Sequence, residues 1–278
     1  MFIFNKVISI LITLIFLSFQ CAFSQEIIPV IPKKNKGQFY VYWGWNQSEY
    51  TRSDISFKGE NYAFTLKNVK ATDRQTKLSS TYFNPRTATI PQYNVRIGYF
   101  LTENLSISIG NDHMKYVVTQ NQKVEINGEI HGSGTVHDAD YDHDEVTLTE
   151  DFLKFEHTDG LNYENIEFRY HYDWLNSRRF SLDIIEGVGA GIMLPKTNST
   201  LLGNERNDEF RVAGYGLNAI LAINLKHKSG FFIQTEAKGG YVNMPDIRTT
   251  KFAIDKAEQD FFFFQYNLVF GFQFGKIG

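Results

Sequence analysis

The feature that most constrains the fold is a strictly alternating aromatic stretch that runs from Phe262 to Phe274. Every even position in it is large and apolar: Phe262, Phe264, Tyr266, Leu268, Phe270, Phe272 and Phe274. From Gln265 on, the odd positions are polar or small, with Val269 as the exception. Successive side chains of a β-strand point to opposite faces. The stretch therefore predicts a strand with one thick apolar face, which suits the wall of a lipid-embedded barrel.

The N-terminal residues predict export. Lys6 is followed by an apolar run from Val7 to Phe19 and then by a small-residue cleavage site before Gln25. This pattern predicts a cleaved secretory signal peptide over residues 1–24. A membrane anchor is one alternative, but the run is short for a span. Acylation of Cys21 is the other, although the residue before it is bulkier than a lipoprotein signal favours.

The amino-acid composition excludes several classes of protein. The single cysteine belongs to the predicted signal peptide, so disulfides cannot stabilise the exported chain. The 28 basic and 31 acidic residues give a net charge of −3, which offers no basic face for nucleic acid. No later stretch is apolar enough for a membrane helix. Only helices and closed barrels satisfy their backbone groups inside lipid, so an all-β barrel is expected.

Eight alternating segments predict an eight-stranded antiparallel up-and-down transmembrane barrel. The predicted strands are approximately 37–47, 92–101, 105–118, 162–174, 182–194, 210–226, 231–241 and 262–274. Short turns at 102–104, 175–179 and 227–230 alternate with longer connections, as in barrels with short periplasmic turns and long outer loops. The predicted organisation is a periplasmic lead-in at 25–36 and a barrel at 37–278, with long extracellular loops at 48–91 and 119–161.

Two local features affect the predicted number of strands and the regularity of the fifth predicted strand. Residues 54–66 read as a small hairpin above the membrane, and ten strands result if that hairpin joins the wall. Its edge also offers a partner a place for strand addition. Glu186 interrupts the apolar face of the fifth predicted strand, which predicts a β-bulge near Ile185.

The alternation from residue 37 to 275, together with the aromatic terminal strand, resembles the small outer-membrane β-barrel proteins of Gram-negative bacteria. The resemblance implies location in the cell outer membrane, contact with its lipids and lipopolysaccharide, and insertion by the barrel-assembly machinery. A soluble lipocalin-type barrel is the alternative, and it would face its apolar side chains inward. The apolar residues of the predicted outer face are too large to fit together inside a soluble eight-stranded barrel, which favours the membrane barrel.

Charged residues fall on the predicted inner face, where eight strands leave room only for side chains. They are Arg96, Glu167, Arg169, His171, Asp173, Glu236 and Lys238. Isolated charges there are costly to desolvate, so we expect ion pairs that join Glu167 or Glu236 to a cation. A plug of ion pairs is the expected result, and a gated or proton-coupled pore is the alternative.

The stretch from His131 to Glu145 is the densest polar segment. Its candidate ligands for a weak divalent-cation site are His137, Asp138, Asp140, Asp142 and His143. Oxygen ligands suit calcium and imidazoles suit transition metals. The spacing does not match a calcium-binding loop, so a solvated acidic loop is the alternative. No cofactor is expected.

The segment from Phe155 to Arg169 resembles the lipid A deacylase family around His157. The resemblance implies a catalytic histidine at His157, yet Asp159 stands where that family has its nucleophilic serine. Glu167 follows His157 by ten residues, an even spacing that places both side chains on the same face of a strand and so permits a His–Glu pair.

The leading functional expectation is non-enzymatic. The chain is expected to serve as a structural or surface-interaction protein whose loops meet lipopolysaccharide, another envelope protein or an external ligand. A lipid-modifying barrel enzyme that uses His157 and Glu167 is the runner-up, and a narrow, porin-like channel is the third hypothesis.

Overall fold

The computed structural model of the protein describes residues 34–76, 81, 91–204 and 207–275. The strands of these residues are labelled in chain order as β1 Phe39–Tyr50, β2 Ser53–Lys58, β3 Tyr62–Val69, β4 Ala71–Thr72, β5 Tyr93–Phe100, β6 Leu105–Val118, β7 Lys123–Ile130, β8 Ala139–Thr147, β9 Leu153–Asn176, β10 Phe180–Leu201, β11 Asn207–Phe210, β12 Gly214–His227, β13 Phe231–Arg248 and β14 Lys256–Phe274. Across these ranges, no helix is long and apolar enough to cross a membrane. The predicted signal peptide, with Cys21, and most of the predicted lead-in lie outside the described residues.

Eight strands close into a ring. Their order is β1-β5-β6-β9-β10-β12-β13-β14, and antiparallel pairing of β14 with β1 completes the circle. Around the closure, Trp43 of β1 lies opposite Phe270 of β14 on one side and Val95 of β5 on the other. Closure leaves no unpaired strand edge in the wall. The predicted eight-stranded barrel is confirmed.

The outer face of this ring is an apolar belt. Its exposed side chains include Phe39, Val95, Ile97, Ile109, Ile166, Phe168, Val188, Leu217, Ile223, Ile233, Leu268 and Phe272. Their neighbours along each strand point inward, and many of these are buried polar groups. A soluble barrel has the opposite arrangement, so the surroundings of the belt are hydrocarbon.

Several strands are much longer than a membrane crossing requires. β9 has 24 residues and β10 has 22, whereas a tilted spanning strand needs about 9–11. Both strands meet at the short turn that begins after Asn176, so the surplus length projects from the side of the barrel opposite the short turns. The barrel therefore continues above the membrane as a folded structure.

The part that projects on that side, here called the surface module, consists of β2, β3, β7 and β8 with the ends of β6, β9, β10, β13 and β14 that lie farthest from the short turns. The sheet runs from β14 through β2, β3 and β7 to β8. More than half of the predicted loop 119–161 and part of the predicted loop 48–91 therefore form ordered strands. The interior of the surface module is apolar and includes Ile55, Phe57, Phe64, Leu66, Val124, Ile126, Phe152, Phe155, Val242, Met244, Phe261 and Phe263.

The hairpin predicted at 54–66 is present as β2 and β3, but it does not join the wall. β2 pairs with the upper end of β14 at Lys256–Gln259, and β3 pairs with β7, so the ring keeps eight strands. Because β3 already has a neighbour on each side, the edge expected to recruit a partner is occupied within the chain. β8 ends this strand order and has one unpaired edge.

The bulge predicted near Ile185 is wrong. Alternation runs through this position without a break, so Glu186 lies on the outer face, where Tyr172 donates a hydrogen bond to its carboxylate. The register of β9 and β10 shifts instead between Leu182 and Asp183, where Trp174 is the extra residue on β9. A lipid-side hydrogen bond, rather than a change of register, accommodates the carboxylate.

Candidate functional site

The centre of the transmembrane lumen holds six charged side chains, here called the lumenal network. They are Arg96 from β5, Asp112 from β6, Glu167 and Arg169 from β9, and Glu236 and Lys238 from β13. All six are almost completely shielded from solvent. Strand parity places them on the same inner face, and the antiparallel registers bring them to the same height in the barrel.

Glu167 is the hub of the network. Its Oε1 lies 3.1 Å from Arg96 Nη2 and 2.9 Å from Lys238 Nζ. Its Oε2 accepts a hydrogen bond of 2.7 Å from Arg169 Nε. Arg169 Nη1 also contacts Glu236 Oε2 at 2.9 Å, and Lys238 contacts Asp112. Three cations thus face three anions, and the network as a whole is neutral.

Neutral polar groups saturate the remaining donors and acceptors. The Tyr42 hydroxyl accepts hydrogen bonds from Arg96 Nε at 3.0 Å and from Arg169 Nη2 at 2.9 Å. Asn218 donates to Glu167 Oε1 at 3.0 Å, and Asn267 donates to Glu236 Oε1 at 2.9 Å. A buried charge is tolerated when it is both paired and hydrogen-bonded. These contacts hold the six charged groups in one rigid cross-section of the lumen.

The structure separates two predicted members from this cluster. His171 lies nearer the short turns, where its Nε2 is 2.9 Å from Ser106 Oγ and its ring packs 4.7 Å from that of Phe100. Asp173 is lower still, opposite Asp183, and is partly exposed. Asp112 joins the network although the prediction omitted it. The sequence could have predicted this, because Asp112 is an even number of residues from Ser106 and Ser108 on β6 and so lies on the same inner face.

The lumen narrows from the end with the short turns toward this network. A cavity of about 250 Å³ opens on the side of the short turns, between Asn35, Ser181 and Gln273. A second space of about 20 Å³ lies deeper, against Arg169 and His171. That volume holds about one water molecule. Beyond the network, the apolar interior of the surface module fills the other end of the barrel.

His157 lies in the apolar interior of the surface module. Its side chain is fully buried, with Nδ1 3.0 Å from Thr197 Oγ1 and the ring packed between Phe155 and Tyr116. Nε2 has no hydrogen-bond partner among the described residues. Burial lowers the pKa of the imidazole to about 3, so the group is neutral at physiological pH.

The structure does not bring His157 and Glu167 together. Ten residues of extended strand separate them, which is about 33 Å along β9. Glu167 is held by three cations of the lumenal network, while His157 contacts Thr197. Shared parity along a strand permits a contact only between residues a few positions apart. The expected His–Glu pair is therefore wrong. Asp159, at the position of the family's serine, pairs with Lys196 at 3.1 Å.

The five predicted metal ligands do not converge on one point. His137 Nε2 lies 3.2 Å from Asp151, and His143 Nδ1 lies 2.7 Å from Glu125. Asp138 accepts hydrogen bonds from the Ser133 and Gly134 backbone and so closes the β7–β8 turn. Asp142 is almost fully exposed.

Only Asp140 of these five belongs to a cluster of potential ligands, and its companions are Glu129 and His131. The prediction missed both because it treated 119–161 as a loop. The missing information was the hairpin register, which places Glu129 opposite Asp140.

Comparisons with known proteins add the following. No family model and no curated protein matches the chain. Among solved structures, the outer membrane protein OprG from Pseudomonas aeruginosa has 12% identity over 88% of this chain and 100% of its own, with a TM-score of 0.40. AlkL, solved in lipid bilayers, has 12% identity over 92% of this chain and 98% of its own, also at 0.40. Neisserial surface protein A has 9% identity over 85% and 97%, at 0.34.

The closed ring of eight strands, the apolar belt around it and the polar lumen within it define an outer-membrane β-barrel. That assignment rests on the geometry of this chain.

Proposed function

We propose that this protein is a non-conducting outer-membrane barrel that displays a folded β-sheet module for interactions at the cell surface. The observation that carries the proposal is that the barrel is filled at two successive levels. The lumenal network blocks the membrane section, and the apolar interior of the surface module fills the section above it. A solute would have to break charge pairs at the first level and displace packed aromatic rings at the second.

The surface module itself supports an interaction role. Its strands extend the sheet well beyond what a membrane crossing needs, and its apolar core holds a fixed shape above the lipid. The free edge strand β8 carries Asp140, Asp142, Asp144 and Glu145. Charges on a sheet edge prevent uncontrolled strand pairing, and they also favour a cationic partner. The partners we propose are lipopolysaccharide around the belt and an envelope protein or external ligand at the module.

The two competing functions have less support. A lipid-modifying enzyme needs an accessible nucleophile beside its base, whereas His157 is buried against Thr197 and far from Glu167. A narrow channel needs a continuous aqueous path, whereas the lumen closes at Arg96, Glu167 and Arg169.

The proposal is tested by conductance and by surface labelling. Purified protein in planar bilayers should give no single-channel steps, and steps of constant size in the unmodified chain would contradict a sealed lumen. An epitope inserted after Gly134, in the β7–β8 turn, should be labelled by antibody on intact cells. Labelling that requires permeabilised cells would contradict display. Lipid A mass spectra from cells with and without the protein should be identical, and a lost acyl chain would favour the enzyme.

A further inference from the structure

The open end of the β7–β8 hairpin brings together three side chains that the proposed function does not use. His131 Nε2 lies 3.1 Å from Asp140 Oδ1 and 3.6 Å from Glu129 Oε2. One ligand-type atom from each residue lies within 4.8 Å of the other two. All three side chains are more than half exposed, so an ion reaches them directly from the medium.

The backbone holds these residues in place without any ion. Glu129 and Asp140 are directly opposite one another in the ladder between β7 and β8. Ile130, between Glu129 and His131, is completely buried in the apolar interior of the surface module. The backbone N–H of His131 donates to the Asn61 carbonyl at 2.8 Å, which ties the end of β7 to the β2–β3 turn. The geometry of the three side chains is thus set by the fold.

The electrostatics of the cluster favour a cation at its centre. Two carboxylates directly opposite one another on a sheet repel. Both carboxylates also face the same ring nitrogen, and a single N–H serves only one acceptor well. A neutral imidazole therefore donates to only one of the two carboxylates and leaves the other to water. A bound divalent ion would accept all three donor atoms at once.

We propose that Glu129, His131 and Asp140 form a binding site for one divalent transition-metal ion, of which zinc is the best match. Ligands at about 2.1 Å from zinc lie about 3.4 Å apart in a tetrahedral arrangement and about 3.0 Å apart at adjacent octahedral corners. The distances of 3.1 and 3.6 Å fall close to these values. Three protein ligands leave at least one coordination position open to water or to an external group.

The donor set also determines which ions are excluded. Calcium and magnesium prefer oxygen ligands, whereas imidazole suits zinc and its transition-metal neighbours. At His131 both carboxylates face the same ring nitrogen, Nε2, and the other two histidines of this region differ in that respect. His137 Nε2 faces Asp151, and His143 faces Glu125 through Nδ1 and Asp142 through Nε2. His143 on the same hairpin therefore provides a matched control.

The test is calorimetric titration of the full exported chain, folded in detergent and purified with a tag that contains no histidine. Zinc chloride should give one bound ion per chain at neutral pH, and calcium chloride should give no heat. His131→Ala and Glu129→Gln should each weaken zinc binding by about tenfold or more. His143→Ala should leave the affinity unchanged.

Three results would overturn the site: no heat at millimolar zinc, equal loss of affinity in His131→Ala and His143→Ala, or calcium binding as strong as zinc binding. Each variant is first checked for the compact form on unheated gels, so a loss of zinc binding is read only from folded protein. The outcome is independent of the conductance and labelling tests. If the barrel is sealed and displayed but binds no zinc, only the zinc site is contradicted. If it binds zinc but conducts, only the proposed function is contradicted.

Discussion

The membrane section and the surface module share the same strands but have opposite interiors. On β14, the inward side chains Phe261 and Phe263 are apolar in the module, and the inward Gln265 and Asn267 are polar in the membrane. The outward side chains change in the opposite direction: they are acidic near the start of the strand, in the module, and apolar or aromatic at Tyr266 and Leu268, in the membrane.

The same inversion occurs along β9, where buried Phe155 lies above buried Glu167. Strand parity is unchanged in both cases, so the surrounding medium, and not the backbone, decides which kind of side chain points inward. Water around the module drives apolar groups to its interior. Hydrocarbon around the belt accepts apolar groups outside, which leaves polar groups to satisfy one another within. The run of four phenylalanines at 261–264 marks the change, because both faces are apolar there.

The largest expected effect comes from the ionic interior. Glu167→Ala removes the hub of the lumenal network and leaves three buried cations with two anions. Removal of one partner from a buried ion pair costs about 3–5 kcal/mol. The midpoint of urea unfolding, followed by the loss of the compact gel form, should fall accordingly.

Leu66→Ala is the counterpart in the apolar interior, where a fully buried leucine is lost at a cost of about 2–5 kcal/mol. This loss should appear as easier proteolysis of the module while the ring stays compact. If Glu167→Ala unfolds no more easily than Glu258→Ala, which alters an exposed side chain, the network does not stabilise the lumen.

A second prediction compares the same outer face of β14 at two heights. Leu268→Arg places a charge in the belt and should cost about 2–4 kcal/mol of stability, depending on its depth in the membrane. Glu258→Arg, ten residues earlier and above the membrane, should change stability by less than about 0.5 kcal/mol. Both can be measured as the yield of heat-modifiable protein and its unfolding midpoint. Equal effects would mean that the two positions face the same medium.

The smallest predicted effect is a pH dependence of the module. His157 has a pKa of about 3 when folded, below its ordinary value, so the unfolded chain binds the extra proton. The contribution of buried, neutral His157 to the stability of the module is therefore fully present above about pH 6.5 and is lost as the pH falls toward 3. Between pH 6.5 and 5 the loss is about 2 kcal/mol.

Proteolysis of the module at these two pH values measures this dependence. His157→Leu, which removes the ionisable group, should make it weaker. A wild-type module that is equally protected at pH 5 and at pH 6.5 would contradict the burial of His157.

The membrane section could be predicted from sequence because lipid imposes a simple rule on it. Alternation alone identified the ring and the outward positions of Tyr266, Leu268 and Phe272, since one face of every strand had to be apolar. Asp112 required only the same parity argument. The inner face offers a single enclosed space, so charged residues on different strands were expected to meet.

The surface module could not be predicted in the same way. Its strands are held by pairings between distant segments, such as Lys256 with Lys58 and Tyr62 with Ile130, whose register depends on tertiary packing. β8 is so acidic that it reads as a solvated loop, although it forms an ordered edge strand. The cluster of Glu129, His131 and Asp140 is visible only once that hairpin register is known.

The most direct test of the account is a single-cysteine scan along β14 with spin labels, which the absence of any cysteine besides Cys21 makes simple. Labels at Glu258 and Asp260 should be accessible to a water-soluble nickel chelate, and labels at Tyr266 and Leu268 should be accessible to oxygen dissolved in lipid. Labels at Phe261 and Asn267 should be shielded from both. Uniform nickel accessibility at all the even positions, from Glu258 to Leu268, would show that no membrane surrounds the belt and would contradict the inversion.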